Sequence, residues 1–273
     1  MKVLYFDCTN GISGDMLLNA LMELGECRTE VEAAIEAETF SHEHHTHSEE
    51  SAHHHTHEHS HHGRSYHEVK QLIAHSGFSA KAKEYAAAIY RNIAVAEAEV
   101  HGESLETIHF HEVGRDQAVK NALGIGMAME KLAPDKTVVS PIYDGKGTVV
   151  CSHGEIPVPV PAVRALMKRS TFTFRQAEVE MEMVTPSGLA GLMGIGAQPA
   201  DSGDTAAEQQ YKPEHETIIK ETEVHGARAT GRGGLKAYLL QVNGEKVSKQ
   251  RLAKGIFENF LVPPTKTTAL AAN

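Results

Sequence analysis

The spacing of apolar positions predicts an alternation of short strands and amphipathic helices. Residues 2–6 (KVLYF) form an apolar run that reads as a buried strand. A helix follows over 13–23, with Ser13 as cap, Leu17, Leu18, Leu21 and Met22 as the apolar stripe and Gly25 as stop. A weaker helix covers 30–37. Ser65 and Glu68 make a capping box for a helix ending at Gly77, and Ser79 opens a longer one closed by Gly102. Another helix covers 116–132. Strands are expected at 136–140 and 147–151. The segment 156–161 (IPVPVP) is expected to be extended but unable to join a regular ladder. A short helix at 162–168 precedes a strand at 178–184, with Glu178, Glu180 and Glu182 on one face. Residues 187–195 read as helix, 217–224 and 235–242 as strands, and 248–260 as helix. The fold class is therefore mixed α/β (α+β), with helices packed on a small sheet. The expected division is a main domain over 1–196, a linker over 197–212, a small α+β segment over 213–262 and an unstructured tail over 263–273.

One block breaks every period. Between His42 and His62 the only apolar residue is Ala52, so this segment has no face to bury and reads as a mobile insertion over 40–63. It holds eleven of the 19 histidines: His42, His44, His45, His47, His53, His54, His55, His57, His59, His61 and His62. Neutral imidazole suits nickel, zinc and copper, and a flexible chain can offer several donors at once.

Composition narrows the rest. A net charge of −10, no Trp and 5% aromatic residues argue against a nucleic-acid surface. No apolar run is long enough for a membrane span, and the first residues lack signal-peptide anatomy. Cys8, Cys27 and Cys151 are widely spaced and include no CxxC pair, which fits a reducing cytoplasm better than a disulfide framework.

Three ordered segments carry candidate chemistry. In His109-Phe110-His111-Glu112, an extended backbone would put both imidazoles on one face with Phe110 anchoring the other. Two imidazoles and a carboxylate can hold a metal, or one can act as acid or base. The run from Asp7 to Asp15 is a strand–glycine turn–helix junction of the kind that presents free amides to an anion. It is neither a Walker A loop nor GxGxxG. Asp7 can bind a cation or orient a hydroxyl there, while Asp15 favours the helix start. Thr185-Pro186-Ser187-Gly188 forms a second junction, with Ser187 as a plausible cap.

Together these segments resemble the LarC family of nickel insertion proteins. The matching pieces are YFDCTNGISGDM at 5–16, the His-rich insertion, HGRSYHEV at 62–69, VHGESLETIHFHEVG at 100–114, SHGEIPVPVPA at 152–162 and EMVTPSG at 182–188. The resemblance implies that nickel is inserted into pyridinium-3,5-bisthiocarboxylic acid mononucleotide, completing the nickel-pincer cofactor of lactate racemase, the downstream recipient. It implies a CTP-dependent chelatase of the lyase class. CTP, with Mg2+ or Mn2+, would be used by a C-terminal domain expected to be separate or missing here. In that frame Asp7, Asp15, His111 and Glu112 are the candidate catalytic residues, and His109 and His111 extend the metal set of the tract. Gly11, Ser13, Gly14, Thr185, Ser187 and Gly188 would seat the nucleotide phosphate. Gln117, Ala118 and Asn121 replace the Asp-Ser-Ile-x-x-Asp-like run of the family, and 226–231 departs from a GAGTRD-like stretch. The reading from another class is a non-catalytic nickel or zinc store built on the His tract alone. A metal-dependent hydrolase using His109, His111 and Glu112 is a third.

Overall fold

The computed structural model describes residues 1–40, 63–110, 113–151, 154–200, 216–227 and 231–242. The His-rich block and the segments expected as helix at 248–260 and tail at 263–273 lie outside them.

The apolar run at the N-terminus becomes strand β1 (Lys2–Asp7), which is buried along its middle. It runs into α1 (Gly14–Leu24), capped by Ser13, and α2 (Arg28–Ala37). Then come β2 (Arg64–Ser65), α3 (Tyr66–His75) with both bonds of its capping box, and α4 (Ala80–His101). Gly102 ends α4 in the left-handed region, as a C-terminal glycine should. β3 (His109–Phe110), α5 (Asp116–Leu132) and β4 (Lys136–Val139) lead back to the sheet. Three short strands follow, β5 (Ile142–Asp144), β6 (Thr148–Cys151) and β7 (Gly154–Pro157), then α6 (Pro161–Arg169) and β8 (Phe174–Gln176). The described chain closes with α7 (Pro186–Gly194), β9 (Gln198–Pro199), β10 (Glu216–Val224) and β11 (Leu235–Val242).

The main sheet has the order β10-β11-β1-β4-β9. β1 is parallel to β4 and β4 to β9, while β11 is antiparallel to β1 and to β10. Alternation along β1 divides two cores. Leu4, Phe6 and Cys8 face the helices with Leu235, Ala237 and Leu239. Val3 and Tyr5 join Val138, Tyr238, Leu240 and Val242 in a second cluster. In the helical layer, α4 packs on α5, α6 and α7, and α1 packs on α5 and α7. Ser79 before α4 bonds Glu130 late in α5, while the Tyr90 hydroxyl donates to the Val113 carbonyl ahead of α5, so the two helices run antiparallel. This mixed α/β arrangement is the expected fold class.

Two local expectations are corrected. Residues 156 and 157 do join a ladder: Ile156 pairs with Val149 and Pro157 with Thr148, because Pro157 ends β7, where the lost donor matters least. Residues 178–184 form no strand beyond a single bridge from Val184 to Ile12. The Val179 carbonyl is taken by the Lys146 amide, and the Met183 and Val184 amides go to the Asp144 side chain, so no ladder partner is left for them.

Candidate functional site

In open sheets with parallel strands, ligands gather beyond the carboxyl ends of those strands. Here that edge carries the loops after β1 and β4 and the starts of α1, α5 and α7. Ser140, just past β4, accepts the Cys8 amide at 2.8 Å, and the Tyr143 amide donates to the Cys8 carbonyl at 3.1 Å. Cys8 is thus pinned and fully buried. Burial first, and Asp7 second, push its thiol up, so it packs as a small apolar group and is no ready metal ligand. Asp7 is half-buried, its Oδ1 accepts the Thr9 amide at 3.1 Å, and it stands opposite Lys236 in the ladder. Burial, reinforced by the Asp7 charge, also pushes the Tyr5 and Tyr238 phenols up.

The two strand-to-helix junctions read from the sequence lie side by side. Ile12 donates to the Met183 carbonyl at 2.9 Å, and the Thr185 amide donates to the Ile12 carbonyl at 3.0 Å. Gly11 turns the chain at φ +83°, and a Cβ there would lie 2.2 Å from the Met183 carbonyl oxygen. A Cβ on Gly188 would meet the Ile12 oxygen at 2.6 Å. Glycine at both positions lets the starts of α1 and α7 touch through their backbones. Ser13 caps α1 through the Met16 amide, and Thr185, rather than Ser187, caps α7 through the Gly188 amide, each at 3.2 Å. The Ser187 hydroxyl lies 3.1 Å from the Thr185 hydroxyl and fills the space beside Gly14. Gly11, Ser13, Gly14, Thr185, Ser187 and Gly188 therefore form one patch, with the positive ends of two helix dipoles together.

Asp15 is exposed in the first turn of α1. The Asn121 side-chain amide donates to its Oδ1 at 2.7 Å, and the Gln117 amide donates to the Asn121 oxygen at the same distance. The amides at 117 and 121 thus support a carboxylate across the α1–α5 contact, where acids would repel it. The start of α5 is held in turn by the ion pair of Asp116 with Arg64, which also donates to the Gly114 carbonyl at 3.0 Å.

That arginine belongs to the β2–β3 ladder, where Ser65 faces His109. Phe110 is 1% exposed and packs against the rings of Tyr66 and Tyr90. His109 is exposed, and its Nδ1 lies 2.6 Å from the Thr107 carbonyl. A carbonyl only accepts, so Nδ1 carries the proton and Nε2 is left as the donor atom for a metal. His111, Glu112 and the eleven histidines of the tract lie outside the described residues. Among the described residues no group of three or more His, Cys, Asp or Glu is arranged to hold a metal. Nor is any helix among them long and apolar enough to cross a membrane.

A cavity of about 590 Å³, lined by Ala34, Ala37, Phe78, Met127 and Lys131 among others, opens at the other end of α5. Its polar neighbours are spent on one another: Glu38 accepts the Gly77 amide, Ser79 bonds Glu130, and Lys131 pairs with Glu30. The candidate residues lie instead at the carboxyl edge of the sheet, where polar groups converge.

Sequence reasoning missed one residue here. Asp144 ends β5 at 2% exposure, and its Oδ1 accepts the amides of Gly145, Met183 and Val184. Apart from the Gly that follows it, no local signal marks this position.

A family model described as nickel insertion protein matches residues 4–210. The pyridinium-3,5-bisthiocarboxylic acid mononucleotide nickel insertion protein of Acetivibrio thermocellus is 35% identical over 219 residues, which is 69% of this chain and 50% of that protein. A putative nickel insertion protein of Geobacter sp. strain M21 is 34% identical over 89% of this chain and 66% of its own length. The mononucleotide nickel insertion protein of Akkermansia muciniphila is 34% identical over 74% and 53%. The chain thus spans about half to two thirds of the length of these relatives. No solved structure matches it. A family match over most of the chain places this protein in the LarC-type family of nickel insertion proteins.

Proposed function

We propose that this chain binds nickel and a pyridinium mononucleotide bearing two thiocarboxylates, and serves insertion of the metal into that ligand. The observation that carries the reading is the contact between the α1 and α7 starts, built from the residues of two separate motifs. Paired helix starts offer amides and dipole ends to a phosphate, and the ribose phosphate is the part of the substrate that such a seat can hold. Asp15, in the first turn of α1, adds a carboxylate for a cation beside those amides, whereas Asp7 alternates with Phe6 and Cys8 onto the sheet face of Tyr5 and Tyr238. His109 presents Nε2 from a nearby ladder. His111 and Glu112 follow it directly and would complete a set of two imidazoles and a carboxylate. The product would hold nickel through carbon and two sulfurs. CTP with Mg2+ or Mn2+ belongs, on this reading, to a C-terminal LarC domain, and lactate racemase is the recipient. The setting is cytoplasmic.

A second reading is supported by the His tract, with eleven imidazoles in 21 positions. It makes the chain a nickel or zinc store or metallochaperone. An equilibrium nickel titration of the chain beside a variant lacking Glu43–His62 separates the two. On the insertion reading a tight site survives the deletion and is lost with His109→Ala. Complete loss of binding with the tract leaves the store. Tract-dominated affinity should fall below about pH 6.5, where imidazole takes up protons.

A further inference from the structure

The motifs leave Asp144 unexplained. Its Oδ1 takes three backbone amides, from Gly145 at 2.8 Å, Met183 at 2.9 Å and Val184 at 3.0 Å. Its Oδ2 is sealed from solvent and has no partner among the described residues. Burial pushes this carboxyl up against the pull of the three amides. A side chain that merely filled the space could be apolar and avoid the cost of burying an acid. The amides it holds are the informative part. Met183 and Val184 lead directly into Thr185, the cap of α7, and Met183 also accepts the Ile12 amide ahead of α1. The stub between 183 and 185 is therefore tied on one side to the α1 start and on the other to a single carboxyl oxygen at the end of β5. Without that oxygen two buried amides lose their acceptor, and the stub is held from one side only.

We propose that Asp144 is a positioning residue for the phosphate seat: it sets the α7 start against the α1 start and governs nucleotide affinity without touching the nucleotide. This rests on the seat assigned above. The test uses the full chain with nicotinic acid mononucleotide as probe, binding measured by calorimetry, and amide hydrogen exchange at 145, 183 and 184. Asp144→Ala should weaken probe binding about tenfold or more, as the loss of supporting contacts around a site does. Exchange should rise at 183 and 184 but not along β1 and β11. Asp144→Asn keeps an acceptor oxygen and should bind within about threefold of the parent. Equal binding by the Ala variant overturns the assignment, as does an Asn variant as weak as Ala. Should the Ala variant not fold, the parent and the Asn variant decide: 183 and 184 amides that exchange in the parent as fast as exposed ones overturn it. A parent chain that binds no probe removes the seat itself, and the Asp144 assignment with it, a result distinct from the others.

Discussion

The paired helix starts and the β2–β3 ladder sit at the same end of the molecule and are built on opposite plans. At the helix starts most ties are backbone to backbone or backbone to a buried or half-buried side chain, and two glycines allow contacts that no Cβ would permit. The ladder is two residues long on each strand, and one ring, Phe110, anchors it while its neighbour His109 faces solvent. On the function proposed above, the contrast suits two tasks. A phosphate is recognised by amides that must not move, so the rigid region is the natural seat. A metal carried to a bound ligand must be taken up and released, and an exposed imidazole oriented by one carbonyl serves for that.

This comparison is easiest to break at its anchors. Phe110→Ala should cost about 4 kcal/mol of folding stability, the usual range for a large buried ring. It should also release the ladder, seen as faster exchange at the Tyr66 amide, which bonds the Ile108 carbonyl at 3.1 Å. A cost under about 1 kcal/mol would mean that something other than this ring holds His109 in place. Gly188→Ala should cost about 3 kcal/mol, because the new methyl meets main chain, which cannot swing aside as a side chain can. Urea unfolding measures both. Thr185→Ala removes only the cap of α7 and should cost about 1 kcal/mol. It sharpens the contrast, since its effect on probe binding should exceed that of His109→Ala, while nickel binding should show the reverse order.

Much of this architecture is legible in local signals. Ser13, Ser65 and Ser79 announce helices that start where expected, and Gly102 stops one where expected. The failures are non-local. Alternation of Glu178, Glu180 and Glu182 imitates a strand, yet a strand needs a partner, and the partners of 179, 183 and 184 are an amide at 146 and a carboxyl at 144. β5 and β8 are three residues each, too short for a period to show. At the site, both junctions can be read from glycines and caps, but their contact cannot: Ile12 and Val184 are bridged across most of the chain. Gln117 and Asn121 look like losses against the family pattern, and only the fold reveals that Asn121 reaches Asp15 while Gln117 donates to Asn121.

The finest test of the comparison is the sign of two acid responses. In the ladder region, hydrogen bonds from Ser65, its side chain foremost, hold Glu68 below the usual carboxylate range. A depressed group binds fewer protons folded than unfolded, so its contribution is present above the ordinary glutamate value and is lost as the pH falls through its lowered one. At the helix starts, burial holds Asp144 above its ordinary value of 3.8. The folded state then binds more protons, and its contribution is greatest below 3.8 and declines as the pH rises through the raised value. Stability measured across the acid range should therefore change in opposite senses in two variants. Relative to the parent, Glu68→Gln should remove a loss that appears on acidification, and Asp144→Asn should remove a loss that appears as the pH rises from 3.8. The Glu68 effect is the smaller, because that side chain is exposed and water screens it. Slopes of the same sign in both variants would mean that the Asp144 carboxyl is held by its three amides more strongly than burial resists, and the helix starts would then owe their rigidity to a charged clamp.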